Sequence, residues 1–278
     1  MALPQVNRTS LQFSNVFEFE KDFDHRSKVN WFAENWNKAF LYSAIYVVLI
    51  FGGKFFMTNR PRYDLRMPLT IWSTTLAIFS WMGAIRLWTD YIFFVKQYGF
   101  KASMCDPIFY QGVTGFWSWV FICSKLPELG DTIFIILRKQ RLIFLHWYHH
   151  ITVLLYAWYS YAHLVAPGRY FVLMNYTVHA LMYSYYALKA SKILSVPTWV
   201  NIMITSLQLL QMIIGCIING YAYMFRKQGE VCSTTDLNLR VSFLMYFSYF
   251  LLFGHFFYSS YVLPKNSQSI EKDHLKKQ

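Results

Sequence analysis

Long runs of apolar residues, separated by short polar loops, recur along the chain. A helix needs about 20 apolar residues to cross the roughly 30 Å hydrocarbon core of a bilayer, and seven runs come close to or exceed this length. We therefore predict an all-α membrane protein with seven transmembrane helices. The predicted spans are Phe40–Met57, Leu69–Trp88, Val113–Leu137, Ile143–Tyr161, Tyr170–Leu188, Trp199–Phe225 and Leu239–Leu263.

The composition agrees with this pattern. Of the 278 residues, 55% are hydrophobic and 14% are charged, whereas about 25% are charged in a typical soluble domain. This excludes a disordered chain and a small secreted disulfide scaffold. Spans three to five carry polar residues, so we expect a strict hydropathy criterion to miss them. The net charge of +12 sits in short clusters beside apolar runs, so no nucleic-acid partner is expected.

Basic residues are distributed unequally between the loops, and cytosolic loops carry the excess of Lys and Arg. The odd-numbered loops and the tail hold Lys54, Arg60, Arg62, Arg66, Arg138, Lys139, Arg141, Lys189, Lys192, Lys265, Lys272, Lys276 and Lys277. The even-numbered loops hold Lys96, Lys101, Arg169, Arg226, Lys227 and Arg240. We therefore predict a lumenal segment over residues 1–38, a membrane domain over 39–263 and a cytosolic basic tail over 264–278.

This orientation determines the environment of several residues. Asn7 begins an Asn-Arg-Thr sequon and is predicted to be glycosylated. Cys105 and Cys232 fall in lumenal loops, in one oxidising compartment, and we predict a disulfide between them. Cys123 and Cys216 lie within spans and are expected to be small buried hydrophobes. The tail ends His-Leu-Lys-Lys-Gln, an imperfect dilysine signal, so we expect the protein in the endoplasmic reticulum membrane.

Span three contains charged residues at helical spacing. Lys125, Glu128 and Asp131 recur every three residues, with Thr132 beside them, which predicts that they share one face. Each charge near the middle of a membrane costs about 2.5–3.5 kcal/mol on insertion scales, so these side chains must face inward and pair. They form either part of a functional site or an ion-pair staple between helices.

Span four begins with a cluster of histidines. His146, His149 and His150 lie at i, i+3 and i+4, so one helix face carries all three imidazoles. A lone membrane histidine, such as His255 in span seven, is more often a hydrogen-bonded core residue. Three adjacent imidazoles indicate a functional site.

Spans five and six extend the polar lining. Asn175 and His179 are four residues apart, and Tyr183 and Tyr186 continue a broadly similar face. Span six carries a stripe at three-residue spacing, which either hydrogen-bonds between helices or binds substrate. Its members are Thr205, Gln208 and Gln211. We therefore predict a polar-lined catalytic tunnel between the later helices.

Two chemistries fit a His-x-x-His-His cluster in a membrane: metal ligation, or nucleophilic catalysis by an imidazole. Di-iron desaturases and hydroxylases use about eight histidine ligands, whereas this chain has eight histidines in total, three of them in tails or loops. A zinc hydrolase with His146, His150 and either Asp131 or Glu128 as ligands stays open. A seven-span receptor or transporter is a further alternative.

The motifs together are similar to those of the ELO family of very-long-chain fatty acid elongases. They occur in order as Lys125-x-x-Glu128-x-x-Asp131-Thr132, His146-x-x-His149-His150, His179-x-x-Met182-Tyr183-x-Tyr185-Tyr186 and Thr205-x-x-Gln208-x-x-Gln211. Trp147 and its surroundings resemble most the branch that elongates saturated and monounsaturated chains near palmitate.

The resemblance implies a 3-oxoacyl-CoA synthase that joins acyl-CoA to malonyl-CoA with loss of CO2, without a metal or redox cofactor. It implies that His149 attacks the thioester and forms an acyl-imidazole. We expect Asp131 and Glu128 to hold His146 or His150 by hydrogen bonds. Asn175 and His179 are the expected donors to the enolate formed from malonyl-CoA.

The remaining predicted site residues would bind substrate. Gln208 and Gln211 are expected to position the malonyl carboxylate or the thioester. Lys125, Tyr183 and Tyr186 complete the polar lining. Four basic residues near the cytosolic ends of the spans are expected to bind the CoA phosphates, although the positive-inside rule also explains them. They are Arg138, Lys139, Arg141 and Lys189.

The acyl chain is expected to lie in a tunnel between the helices. Family likeness suggests the reductases and dehydratase of the later elongation cycle as partners, and a homo-oligomer stays open.

Overall fold

A computed structural model describes residues 11–263, and every regular element within them is helical, which confirms the expected all-α class. Asn7 and the predicted tail over 264–278 lie outside the described residues. The α-helices are α1 Glu18–Lys21, α2 His25–Asn35, α3 Lys38–Met57, α4 Arg66–Cys105, α5 Gly112–Ser124, α6 Asp131–Leu137, α7 Phe144–Ala162, α8 Gly168–Ser191, α9 Thr198–Lys227 and α10 Asp236–Phe257. Short 3-10 turns lie at Pro107–Tyr110 and Pro127–Gly130, and a π-helical turn at Tyr258–Val262 follows α10.

Four helices of the described chain are long and apolar enough to cross a membrane: α3, α4, α9, and α10 with the π turn after it. Their outer faces expose large apolar side chains, such as Val48 at 71% and Phe55 at 84% of full exposure. Such exposure is costly in water and favourable in lipid. Helices α7 and α8, which carry the histidine and tyrosine motifs, are not among these four.

Helix α4 extends well beyond the predicted second span. The chain stays helical to Cys105 with one break at Gly99, where φ is 79°. Only glycine adopts a positive φ without a steric penalty from a Cβ atom. The break therefore turns the last residues of α4 towards the next connection.

The third predicted span is not one helix, so the expectation that Val113–Leu137 forms a single continuous helix is wrong. Helix α5 ends at Ser124, and a 3-10 turn separates it from α6. Pro127 explains the break, because proline has no N–H and its ring clashes with the preceding helical turn. The 3-10 turn has three residues per turn, so residues three apart are eclipsed.

The helices contact one another around a closed ring. Helix α4 packs along α8, α8 against α9, α9 against α10, α10 against α7, α7 against α5, and α5 back against α4. Helix α3 lies outside the ring, against α6 and α7. The ring surrounds a central space, and several helices each line it with one face.

The two ends of this ring differ in character. We call the end that carries Arg138 and Lys189 the basic end. We call the opposite end the disulfide end, because Cys105 and Cys232 are joined there by a disulfide bond. The sulfur atoms link the end of α4 to the connection between α9 and α10. The sequence-based pairing of these two cysteines is thus the pairing in the structure.

The N-terminal helices are tied to the ring by a buried carboxylate. Glu20 of α1 accepts two hydrogen bonds from Arg86, at 3.0 and 2.9 Å, and one from the Trp117 indole N–H at 2.6 Å. Helix α2 packs on α7 through Phe32, which lies against Trp158 and Tyr161. The segment therefore packs against the ring rather than extending away from it.

Candidate active site

A cavity of about 520 Å³ lies inside the ring towards the basic end. Helices α4, α6, α7, α8, α9 and α10 all contribute to its wall. Many of the polar side chains predicted from the sequence line it together: Asp131, Arg138, His146, His149, His150, His179, Tyr183, Tyr186, Lys189 and Gln208. Apolar side chains, including Leu69, Phe134, Met182, Phe253 and Phe256, make up much of the remaining wall.

His146 is held by a chain of hydroxyl groups. Its Nε2 lies 2.9 Å from the hydroxyl of Thr132, which is fully buried. The Thr132 hydroxyl lies 2.7 Å from the hydroxyl of Tyr46, on α3. The rings of His146 and His150 are 4.5 Å apart because they are one helical turn apart on α7.

His149 lies against α10. Its ring centroid is 4.8 Å from that of Tyr249, and its backbone carbonyl accepts a hydrogen bond from the Tyr249 hydroxyl at 3.4 Å. The ring Nδ1 is buried and has no hydrogen-bond partner among the described residues. Since the ring lines the cavity, Nε2 is the nitrogen left to meet a substrate.

A buried ion pair lies behind His179. Lys125 donates to both carboxylate oxygens of Glu128, at 2.7 and 2.8 Å, and to the side-chain oxygen of Asn175 at 3.1 Å. The Asn175 amide lies 3.3 Å from His179 Nε2, and the other ring nitrogen is 3.9 Å from Glu128. Lys125, Glu128 and Asn175 therefore support His179 and do not themselves line the cavity.

Asp131 accepts hydrogen bonds from two aromatic side chains. The Trp72 indole N–H donates to one carboxylate oxygen at 2.6 Å, and the Tyr183 hydroxyl donates to the other at 2.6 Å. These contacts join α4, α6 and α8. Charge-assisted hydrogen bonds of this kind are short and comparatively strong.

The expectation that Asp131 and Glu128 hold His146 or His150 is wrong. Both carboxylates are engaged elsewhere, and a threonine hydroxyl holds His146 instead. Asp131 faces α4 and α8, whereas Glu128 faces Ser124 and Lys125 at the end of α5. For the same reason the proposed zinc ligands do not converge, and no group of three His, Cys, Asp or Glu within residues 11–263 is placed to hold a metal ion.

The predicted substrate-binding residues divide into two groups. Arg138, Lys189 and Gln208 line the cavity. Lys139 instead donates to the backbone carbonyl of Thr58 at 3.0 Å, and Arg141 is exposed. Neither of these two side chains lines the cavity, because the loop before α7 directs them away from it.

Gln211 is buried in α9 and does not line the cavity. Its side-chain oxygen has no hydrogen-bond partner within the described chain. Gln208, one turn earlier, donates to the sulfur of Met182 at 3.4 Å. Only the first of the two predicted glutamines therefore reaches the cavity.

The sequence analysis missed Tyr46, Trp72 and Tyr249. Each lies in a largely apolar helix that carries other polar aromatic residues as well, and most membrane aromatics only pack. No spacing rule singles them out, because their partners lie on helices distant in sequence. Tyr46 and Thr132, for example, are 86 residues apart.

Four histidines line one cavity, a buried ion pair supports one of them, and basic residues lie at the cavity's end. This arrangement is typical of the active site of a membrane enzyme. The sequence matches the family model described as "ELO: GNS1/SUR4 family" over residues 31–269. The chain belongs to the ELO family.

Individual relatives agree with this assignment. The chain is 52% identical over 261 residues to very long chain fatty acid elongase 6 of Drosophila melanogaster, covering 92% of this chain and 82% of the fly protein. It is 51% identical over 247 residues to very long chain fatty acid elongase 6 of Homo sapiens, covering 88% of this chain and 92% of the human protein. It is 45% identical over 255 residues to very long chain fatty acid elongase 3 of Homo sapiens, covering 91% of this chain and 93% of that human protein.

Proposed function

We propose that this protein catalyses the condensing step of fatty acid elongation. It joins a long-chain acyl-CoA to malonyl-CoA and releases CO2 and CoA, so that the product is a 3-oxoacyl-CoA two carbons longer. Family membership over most of the chain supports this reaction. The observation that carries the mechanism is the convergence of His146, His149, His150 and His179 on one cavity.

The first half-reaction transfers the acyl group to His149. The Nε2 lone pair attacks the thioester carbonyl carbon, a nitrogen–carbon bond forms, and the carbon–sulfur bond breaks. The sulfur leaves with the bonding pair and takes up the proton that the imidazole loses. The products are an acyl-imidazole and CoA thiol, a covalent intermediate that divides one difficult step into two.

The second half-reaction consumes malonyl-CoA. Loss of CO2 leaves the bonding pair on the methylene carbon as an enolate, which attacks the acyl carbon. The nitrogen–carbon bond breaks, and the imidazole nitrogen takes up one proton. His179, which lines the cavity, is the proposed donor to the enolate oxygen, and such a donor acts most strongly in a dry site. Asn175 does not line the cavity and donates to His179, so its proposed role is to orient the His179 ring rather than to meet the enolate directly.

This assignment separates the half-reactions. An Asn175→Leu variant should still form the acyl intermediate from acyl-CoA alone but release little 3-oxoacyl-CoA. Loss of the intermediate in this variant would contradict the role in condensation.

We assign the CoA phosphates to the basic end. Arg138 and Lys189 line the cavity there, and guanidinium and ammonium groups bind phosphate by charge-assisted hydrogen bonds. Replacing Arg138 with Glu should raise the KM for acyl-CoA. An unchanged KM would remove Arg138 from the CoA site.

We further propose a seven-span protein of the endoplasmic reticulum membrane. The spans are α3, α4, α5 with α6, α7, α8, α9 and α10. The excess of Lys and Arg in odd-numbered loops supports a cytosolic basic end and a lumenal disulfide end. A glycan on Asn7, seen as a mobility shift that Asn7→Gln abolishes, would support this orientation. If residue 7 could be reached from the cytosolic side alone, the proposed orientation would be contradicted.

The main experiment uses the purified full-length protein with palmitoyl-CoA and malonyl-CoA. Product analysis should show a 3-oxoacyl-CoA two carbons longer, and intact-mass analysis with palmitoyl-CoA alone should show one added palmitoyl group. Both should be lost in His149→Ala. The control is His255→Ala, since His255 does not line the cavity.

The same assay tests the proposal that neither metal nor redox cofactor is needed. Activity should survive a chelator. Activity that a chelator abolishes would indicate that the histidines are metal ligands. The absence of any malonyl-dependent product would overturn the proposed function.

A further inference from the structure

Tyr46 reaches the active site from outside the ring. It belongs to α3, which packs on α6 and α7, yet its side chain is only 5% exposed. Its hydroxyl lies 2.7 Å from that of Thr132, and Thr132 lies 2.9 Å from His146 Nε2. Three groups on three helices therefore form one chain of hydrogen bonds that ends on a histidine of the cavity.

Counting the protons gives this chain a direction. A phenol hydroxyl has one proton to donate, and within the described residues the partner of Tyr46 is Thr132. If Tyr46 accepted from Thr132, its own proton would be left without an acceptor in a buried position, which is costly. Tyr46 therefore donates to Thr132.

The direction continues to the imidazole. The Thr132 hydroxyl has a single proton, and its partners among the described residues are Tyr46 and His146. Since Tyr46 donates to Thr132, His146 Nε2 is the partner that can accept this proton, which would otherwise be buried without an acceptor. Nε2 is then an acceptor, so a neutral His146 carries its proton on Nδ1. No described residue takes up a hydrogen bond from Nδ1, and the ring lines the cavity.

We infer that Tyr46 and Thr132 are positioning residues that hold His146 with its Nδ1–H towards the cavity, as a donor to the thioester oxygen during acyl transfer. The inference rests on the proposed function, because that oxygen becomes negative when His149 attacks the carbonyl carbon. A preorganised donor aimed at such an oxygen accounts for about 10²–10³ in kcat in other acyl-transfer enzymes.

The tyrosine one turn earlier in α3 provides a matched comparison. Tyr42 also packs into the protein, with its ring 5.6 Å from that of Trp158. It has no hydrogen bond to the chain that ends on His146. Replacing either tyrosine with phenylalanine removes one hydroxyl from the same helix and keeps the ring.

The test compares Tyr46→Phe with Tyr42→Phe in the condensation assay. Tyr46→Phe should lower kcat about tenfold, less than the loss of a direct donor, and leave the KM for acyl-CoA unchanged. Tyr42→Phe should keep the wild-type kcat. The melting temperatures of the two variants should agree, which separates positioning from folding.

Thr132 provides a second, independent variant. Thr132→Val keeps the shape and removes the hydroxyl, so it should lower kcat at least as much as Tyr46→Phe. Adding Tyr46→Phe to Thr132→Val should cost nothing further, because the chain is already broken. Thr132→Ser, which restores a hydroxyl, should recover most of the rate.

The outcomes separate this inference from the proposed function. If the wild-type protein forms no 3-oxoacyl-CoA, the proposed function itself fails. If wild type is active and loses activity in His149→Ala, a Tyr46→Phe variant with wild-type kcat overturns the inference alone. Losses that multiply in the Tyr46→Phe/Thr132→Val double variant would also overturn it, since they would show two independent effects.

Discussion

Lys125 and Glu128 illustrate the energetics of a single buried ion pair. The two side chains are 2% and 6% exposed, and the ammonium contacts both carboxylate oxygens. Removing one partner from such a pair leaves an uncompensated buried charge, at a cost of about 3–5 kcal/mol. We therefore expect Lys125→Met to lower the melting temperature in detergent strongly and to abolish condensation.

An exposed ion pair in the same protein is the control. Lys101 and Glu230 are 2.7 Å apart with side chains 54% and 43% exposed, and exposed pairs contribute about 0–1 kcal/mol. Lys101→Met should therefore melt close to wild type. The Lys125→Met/Glu128→Gln double variant should melt above Lys125→Met, since neither charge remains. Equal melting temperatures for Lys125→Met and Lys101→Met would contradict this account.

At the scale of elements, one glycine determines how closely α9 and α10 approach. A Cβ atom placed on Gly215 would lie 2.3 to 2.7 Å from atoms of the Tyr246 ring. The ring is buried and packed into the core between these helices. Gly215→Ala therefore forces the helices apart, and overpacking of this kind costs about 1–3 kcal/mol. We expect a lower melting temperature.

Gly220, on the same helix, is the matched control. Nothing lies within 4 Å of a Cβ atom placed there. Alanine is preferred over glycine in a helix interior by about 1 kcal/mol, so Gly220→Ala should melt at or above the wild-type temperature. If Gly215→Ala and Gly220→Ala had the same melting temperature, α10 would be able to move away from α9 without cost, which would contradict this account.

At the scale of the whole molecule, the disulfide links positions 127 residues apart in sequence. Closing so long a loop restricts the unfolded chain, and a native disulfide typically contributes about 2–4 kcal/mol. Cys105→Ser should lower the melting temperature and remove the difference in mobility between reduced and non-reduced protein on a gel. Cys232→Ser should have the same two effects.

Cys123 separates loss of the disulfide from loss of any thiol. It is a free cysteine that packs beside the core around α5. Cys123→Ser should keep the mobility difference. If Cys105→Ser kept it as well, the cysteines would not be paired in the protein as made.

The sequence by itself determined the class of the protein and the composition of its site. Apolar runs mark the helices, because only long apolar segments are stable in lipid. Polar residues at helical spacing mark the inner faces, because an unpaired polar group in lipid is costly. These two rules placed His146, His149, His150 and His179 on inner faces, and those side chains line one cavity in the structure.

Only the tertiary structure decided which side chains pair. Spacing along one helix cannot tell that Asp131 bonds to Trp72 and Tyr183, or that Tyr46 reaches His146 through Thr132. Pro127 divides the third span, and Glu128 bonds to Lys125 and not to the histidines of α7. The physical reason is that a helix face is set by local geometry, whereas a hydrogen-bond partner is set by how separate helices pack.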